Sequence, residues 1–251
     1  MTTPQNIYDD PEFFSGYETL RKTGAGLNDA LEQPALLSLL PERLDGLRVL
    51  DLGCGCGGFS RLARRCGARE VVALDVSANM LECAAKLTQD SAIHYVRAGI
   101  EQFRGESGPF DLAVSSLALH YVEDYAALAA QVAKGLAPGG LFAFSVEHPM
   151  CTALARQQWV RDADGTPLHW PVDGYRDEGP RSTRWFVDGV IKYHRTVETY
   201  VNALLDCGLR LRRLLEPEPI DMKGLFERHI DVVEKVLDLR LERQKDRKSV
   251  V

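Results

Sequence analysis

The stretch Val49-Leu-Asp-Leu-Gly-Cys-Gly-Cys-Gly-Gly58 decides the fold. An apolar strand runs straight into a glycine-rich turn, with the acid Asp51 two residues before the first glycine. Gly53, Gly55 and Gly57 alternate, and Phe59, Leu62, Ala63 and Cys66 then repeat at the spacing of one helical face. Glycines belong here because the backbone must turn sharply, with positive φ open to it, and must approach a ligand closely. The N–H groups and positive end of the following helix favour anionic or electron-rich ligand groups. Strand, turn and helix together define a nucleotide-type cofactor site at the end of a first parallel strand.

Working outward, strands and helices alternate, which implies a parallel sheet covered on both faces. Strands are expected at Arg48–Leu52, Glu70–Asp75, Ile93–Val96, Phe110–Ser115 and Leu141–Val146. Helices are expected at Gly58–Cys66, after a Ser77 cap with Met80, Leu81, Ala84, Ala85 and Leu87 inward, and near Tyr125–Leu136, stopped by Pro138-Gly-Gly140. Residues 1–46 read as a helical lead-in, with Leu31–Leu40 an apolar helix ended by Pro41. Residues 147–195 break the alternation. They are rich in Trp, Tyr, Pro, Gly and charge (Trp159, Trp170, Tyr175, Trp185, Tyr193), too apolar for a disordered linker, and read as an insertion folded over the cofactor edge. A helix from Val197 to Gly208 and a strand Leu209–Leu215 follow. After Gly224 the pattern is double. Ile230, Val233, Leu237 and Leu241 suit a helix, while Leu237, Leu239 and Leu241 alternating with charges suit a strand; the lack of Gly and Pro favours the helix. The expectation is one domain over 1–251: cap 1–46, cofactor core 47–146, substrate-cap insertion 147–195 and C-terminal part 196–251.

Two cofactors compete for the turn. Gly53, Gly55 and Gly58 satisfy the loose G-x-G-x-x-G dinucleotide pattern. Against a pyrophosphate, Asp51 aims a carboxylate into the loop, where an amino-acid ammonium would be attracted instead. Gly57, lacking a side chain, lets a bulkier non-phosphate ligand lie across the turn. Here the sequence resembles the class I S-adenosylmethionine-dependent methyltransferases, small-molecule type, whose first motif has the form D-x-G-x-G-x-G. The resemblance covers roughly residues 45–215 and implies a doubly wound, Rossmann-like α/β fold. It also implies S-adenosylmethionine as cofactor, with Asp51, Gly53, Cys54, Gly55 and Gly57 around it.

Further positions carry the resemblance. Asp75 ends the second strand, where an acid can accept both ribose hydroxyls, in NAD enzymes as well. Asp75-Val-Ser-Ala-Asn-Met80 is similar to the family's run that covers the adenine, implicating Val76 and Met80. Ala98-Gly-Ile-Glu101 stands where relatives often have Gly-Asp-Ala-Glu, so only backbone at Gly99 and Ile100 is left to meet the adenine amino group. Phe110–Asp124 matches the family's fourth-strand segment, with Ser115 at its strand end and His120 and Asp124 in the His-x-x-x-Asp pattern. It lacks an Asn/Asp-Pro-Pro-aromatic motif, a Pro-Cys nucleophile and an acid for Mg²⁺, leaving small-molecule methylation. Lead-in residues often reach the cofactor carboxylate in relatives, which points to Tyr17 and Arg21; the alternative is a surface helix with an aromatic face.

For a base, His120 has an ordinary pKa suited to proton removal near neutrality, and His148 ends the fifth strand at the ligand edge. Each has a plain alternative, His120 as packing beside the methionine moiety and His148 as structure. Lys192-Tyr193-His194-Arg195 either brings polar groups to the cleft or seats the insertion. Methyl transfer needs little acid–base help, because positioning supplies much of the roughly 7–11 kcal/mol available from proximity.

Composition bounds the partners. The formal charge of −6 argues against nucleic acid, and the Arg61, Arg64, Arg65, Arg69 face reads as solvated. No apolar run approaches a membrane span and no signal segment is visible, so the expected setting is cytoplasmic, as monomer or homodimer. The six cysteines lack zinc spacing and read as small side chains in a tight turn and on helix faces, with no metal. Two other functions stay open, an NAD-dependent oxidoreductase and a non-catalytic S-adenosylmethionine-binding regulator.

Overall fold

The computed structural model describes residues 5–23, 31–218 and 236–243. Two helices, α1 (Pro11–Thr23) and α2 (Gln33–Ser38), precede β1 (Arg48–Leu52), α3 (Gly58–Arg65), β2 (Glu70–Asp75), α4 (Ala78–Lys86) and β3 (Ile93–Arg97). Then come β4 (Phe110–Ser115), α5 (Tyr125–Gly135), β5 (Leu136–Glu147) and the short α6 (Pro149–Thr152). Two hairpins follow, β6 (Val160–Arg161) with β7 (Pro167–His169), and β8 (Gly179–Trp185) with β9 (Val187–His194). The chain continues with α7 (Val197–Asp206), β10 (Leu209–Leu215) and β11 (Val236–Arg243).

Seven strands form one sheet in the order β10-β11-β5-β4-β1-β2-β3. β1 to β5 pair in parallel, while β11 runs antiparallel to both β5 and β10. Both faces are covered, which is why these strands read as almost unbroken apolar runs. Leu50, Leu52, Ala113, Phe142, Phe144, Leu239 and Leu241 pack on one face with α5 and α7. Val49, Val71, Ala73, Leu112, Val114 and Ala143 pack on the other. The chain winds from β1 toward β3 and then crosses back to β4 and β5. The carboxyl ends of β1 and β4 therefore flank the point where the winding reverses, the place such sheets bind ligands.

Four expectations change. The C-terminal segment is a strand, not the helix that the missing Gly and Pro favoured: Leu239 and Leu241 are buried and alternate with the partly exposed Arg240 and Glu242. β5 supplies the reason, since its long edge takes β11 as a partner from Glu147 to Leu141. Ile230 and Val233 lie outside the described residues. Second, Ala85 of α4 and Leu87 just past its end are exposed, whereas Met80 and Ala84 are buried. Third, β5 starts at Leu136 rather than Leu141, so Pro138-Gly-Gly140 lies in its bulged first part, with Phe110 opposite Leu136 and Leu112 opposite Leu141. Fourth, the cysteines are not all separate small fillers. α4 packs beside the glycine turn, and Cys56 and Cys83 form a disulfide with Cα atoms 5.2 Å apart.

Candidate active site

The β1 turn is built as its glycines require. Gly53, Gly55 and Gly57 have φ of +78°, +51° and +72°, conformations open mainly to glycine. A Cβ at Gly55 would meet nothing within 4 Å, so this residue presents open backbone to a cavity of about 920 Å³. A Cβ at Gly53 would strike Ala118 at 2.6 Å, which brings the loop after β4 against the turn. The cavity thus runs along the carboxyl edge of the sheet, from the residues after β3 to the end of β5.

On the β2 side, Asp75 accepts the Gly55 N–H at Oδ2 (2.8 Å) and the Ser77 N–H at Oδ1 (2.9 Å). Each oxygen keeps lone pairs for a ligand hydroxyl. Ser77 caps α4 through the Met80 N–H, and Asp9 in turn accepts hydrogen bonds from the Ser77 hydroxyl and the Asn79 N–H. Net hydrogen bonding holds the Asp9 carboxyl down at about 2, although burial opposes it. Val76, Met80, Gly99 and Ile100 line the same end. The Gly99 N–H donates to Gln102 Oε1 at 2.8 Å, so that backbone donor is already engaged. Glu101, whose carboxyl burial pushes up, lines the cavity beside it.

Asp51 lies at the centre, 3% exposed, accepting the Ser60 hydroxyl at 2.6 Å. Burial, with Asp75 adding repulsion, pushes its carboxyl up to about 7 against the Ser60 hydrogen bonds. A buried acid in that state gains from a cationic ligand group. Neighbouring Cys54 lines the cavity too, and burial pushes its thiol up, which makes it a packing residue rather than a nucleophile.

The β4–β5 end is framed differently. Ser116 and Leu117 line it, tied down by the buried Glu32, which accepts the hydroxyls of Ser116 (2.8 Å) and Ser145 (2.5 Å). The Leu117 N–H donates to Ser145 Oγ, holding Leu117 at φ +47°. His120 Nδ1 accepts the Glu147 N–H at 3.4 Å. Burial lowers the His120 imidazole to about 4, so the ring is neutral. Glu147, on the cavity, pairs with the buried Lys192, which also sits 5.5 Å over the Trp185 ring. The outer wall is aromatic: Trp185 and Phe186 at the β8–β9 tip pack on Phe13 and Tyr17 of α1.

Of the sequence-derived site residues, Asp51, Gly53, Cys54, Gly55, Asp75, Val76, Met80, Gly99, Ile100, Tyr17, Arg21 and His120 all line this one cavity. Three do not. A Cβ at Gly57 would meet Tyr95 Oη at 2.1 Å, so this glycine makes room for a tyrosine and not for a ligand. Ser115 is fully buried and donates to the Leu52 carbonyl at 2.8 Å; its neighbour Ser116 reaches the cavity. His148 turns away, caps α6 through the Met150 N–H, and binds Glu216 through Nε2 at 2.6 Å. Of the Lys192–Arg195 group, Lys192 backs the cavity acid. His194 bonds Thr152 and the Tyr175 carbonyl, and Arg195 the Glu123 carbonyl, seating the insertion. Glu32, Glu147 and Trp185 carried no single motif. Glu147 was hinted at by its strand-end position and Trp185 by the insertion, while Glu32 precedes α2 in the lead-in with no local signal.

Comparison with known proteins agrees with this site. A family model described as a methyltransferase domain matches residues 49–140. A Haemophilus influenzae protein is 34% identical over 224 residues, covering 86% of this chain and 88% of that one. The crystal structure of an S-adenosylmethionine dependent methyltransferase from Mesorhizobium loti shares 45% identity and a TM-score of 0.75, covering 87% of this chain and all of that one. A malonyl-[acyl-carrier protein] O-methyltransferase from Enterobacter lignolyticus is 42% identical over 125 residues, 50% of this chain and 48% of that protein. The glycine turn, the paired acids Asp51 and Asp75 and the antiparallel strand β11 set between β10 and β5 are the features of a methyl-transfer fold. The chain belongs to the class I S-adenosylmethionine-dependent methyltransferases. Its cofactor is S-adenosylmethionine, and the nicotinamide reading is set aside. Among the described residues no helix is long and apolar enough to cross a membrane, and no three His, Cys, Asp or Glu side chains gather as a metal site.

Proposed function

We propose that this enzyme methylates a small, largely apolar organic molecule bound at the β4–β5 end of the cavity, under the aromatic wall of α1 and the β8–β9 tip. S-adenosylmethionine, when bound, supplies a methyl group made electrophilic by its sulfonium. Asp75 would accept the ribose hydroxyls, Asp51 the amino-acid ammonium, and Met80, Val76 and Ile100 would pack on the adenine. Tyr17 and Arg21 close the cavity from above and suit the carboxylate end. In this scheme the protein contributes mainly position: a floor of backbone at Gly53 and Gly55, a ceiling of rings, and exclusion of water.

The observation that carries the reading is the continuity of one cavity from Asp75 through Gly55 to His120 and Glu147. A cofactor at the β1–β2 end leaves space before Glu147 for a second, smaller molecule, and Tyr17, Trp185 and Phe186 make that space apolar. The malonyl-[acyl-carrier protein] O-methyltransferase is matched over only 48% of its length, so its substrate is not carried across. The test is calorimetric titration with S-adenosylmethionine, S-adenosylhomocysteine and NAD, on the native chain and on Asp75→Ala. Micromolar binding of the first two, lost in the variant and absent for NAD, is expected. NAD binding alone would refute the reading.

A further inference from the structure

We propose that the acceptor atom is the oxygen of a hydroxyl group, held between Glu147 and His120, and that Glu147 takes its proton. This rests on the reading above, that the acceptor sits at the β5 end of the cavity. Adjacent residues of a strand point to opposite sides, so of Glu147 and His148 only one can face the cleft. Glu147 does, while His148 is spent on Glu216 and the α6 cap.

Glu147 is kept anionic. Burial pushes its carboxyl up, but the Lys192 ammonium against Oε1, together with neighbouring His120, brings it below the ordinary value. A carboxylate offers about four lone-pair sites, so the contact with Lys192 leaves it able to accept from a ligand. Lys192 is itself fixed, 9% exposed between Glu147 and the Trp185 ring. His120 is the complementary partner. Its Nδ1 takes the Glu147 N–H, so the single proton of the neutral ring belongs on Nε2. That tautomer is a hydrogen-bond donor and not a base. Both residues line the cavity, which thus offers a carboxylate acceptor at Glu147 and, in this tautomer, a donor at His120 Nε2.

A hydroxyl satisfies both and keeps one electron pair for chemistry. Its hydrogen points to Glu147, one lone pair accepts from His120, and the second faces the incoming methyl carbon. A neutral amine has one lone pair, which His120 would occupy. A carboxylate has no hydrogen to give and would meet a like charge at Glu147. As the new oxygen–carbon bond forms, the O–H proton becomes strongly acidic, so a carboxylate of low basicity suffices to receive it. The balance closes. The O–H electrons stay on oxygen, the proton moves to Glu147, and the electron pair of the broken carbon–sulfur bond stays on sulfur. The products are a methyl ether, the neutral thioether and a protonated Glu147 that returns its proton to solvent.

Three probes on one flat apolar frame test this without turnover: 2-naphthol, 2-naphthylamine and 2-naphthoate, titrated at neutral pH into protein saturated with S-adenosylhomocysteine. 2-Naphthol should bind roughly tenfold tighter than either competitor, about one decade in Kd. Glu147→Gln should bring 2-naphthoate level with 2-naphthol. His120→Ala should weaken 2-naphthol, and His120→Gln, which keeps a donor, should recover part of the loss. Because Glu147→Gln strands a buried lysine, the double variant Glu147→Gln with Lys192→Met is read in parallel. Equal or tighter binding of 2-naphthoate or 2-naphthylamine overturns the proposal. So does an unchanged preference in both Glu147 variants, or no 2-naphthol binding at millimolar concentration. Loss of S-adenosylhomocysteine binding in the native chain would instead strike the underlying reading, and the same titration reports it.

Discussion

The Gly55 N–H donates to Asp75 Oδ2 at 2.8 Å, so the glycine turn of β1 and the acid that ends β2 are set by one bond. The Ser77 N–H on Oδ1 fixes the other oxygen. The carboxylate is therefore aimed before any ligand arrives. Two hydrogen bonds to a charged acceptor are each worth about 1.5–3 kcal/mol. Asp75→Ala should then weaken S-adenosylhomocysteine binding by a factor on the order of a hundred or more. Asp75→Asn should lose less, since its carbonyl still accepts one bond. Calorimetry on both variants checks the order, and equal affinity for native and Asp75→Ala would remove Asp75 from the site.

Asp51 makes cofactor binding depend on pH. Burial pushes its carboxyl up to about 7. A ligand ammonium beside it favours the charged form and lowers that value. Binding near pH 6 should therefore release a proton and tighten as pH rises through 7. Calorimetry in two buffers with different ionisation heats reads the proton directly. Asp51→Asn should abolish the buffer dependence; identical heats in both buffers for the native chain would contradict this role.

His120 should make the fold acid-sensitive. Burial depresses its folded value to about 4 from an ordinary 6.5, so below pH 6.5 the unfolded chain binds a proton that the folded chain refuses. The stability at stake is fully present above 6.5 and is lost as pH falls toward 4. Between pH 7 and pH 5 the loss is about 2 kcal/mol for this group. Asp51 slopes the other way, since its raised value favours the folded state at low pH. Denaturant titrations of native and His120→Gln protein at the two pH values separate them. The variant should lose about 2 kcal/mol less on acidification, and parallel losses would speak against a buried neutral imidazole.

Gly55 and Gly57 should fail differently. Both have positive φ, so alanine at either carries left-handed strain of about 1–2 kcal/mol. At Gly57 the added Cβ also strikes Tyr95 Oη, which is held by Thr88 Oγ1 at 2.9 Å. Gly57→Ala should therefore lower the melting temperature more than Gly55→Ala. In a Tyr95→Ala background the two costs should converge. A persistent gap in that background would place the damage elsewhere.

The sequence made the sheet legible where periodicity and glycines coincide. β1, β2 and β4 fall where Arg48–Leu52, Glu70–Asp75 and Phe110–Ser115 were expected, because buried parallel strands leave unbroken apolar runs between turn signals. Strand ends were harder. Ser115 and Ser116, or Glu147 and His148, are adjacent polar residues, and which of each pair meets the cavity depends on register with β4, β5 and β11 rather than on local pattern. Residues distant in sequence were invisible for the same reason. Nothing local joins Glu32 to Ser145 or Cys56 to Cys83. β11 was obscured because Leu237, Leu239 and Leu241 fit two periods, and only the exposed edge of β5 decides between them.

Phe186 sits at φ +60° on the β8–β9 tip, against Gly16 of α1, where a Cβ would meet its ring at 2.6 Å. The hairpin touches the cavity at that tip, while the glycine turn and Asp75 are held by bonds among β1, β2 and α4. Ring for ring, Phe186 can be exchanged without touching the bonds that hold the glycine turn and Asp75, provided α1 keeps a small residue at position 16. Descendants of this chain thus have a short route to new acceptors through the codon for Phe186, while Trp185, which covers Lys192 and so Glu147, is bound to the chemistry.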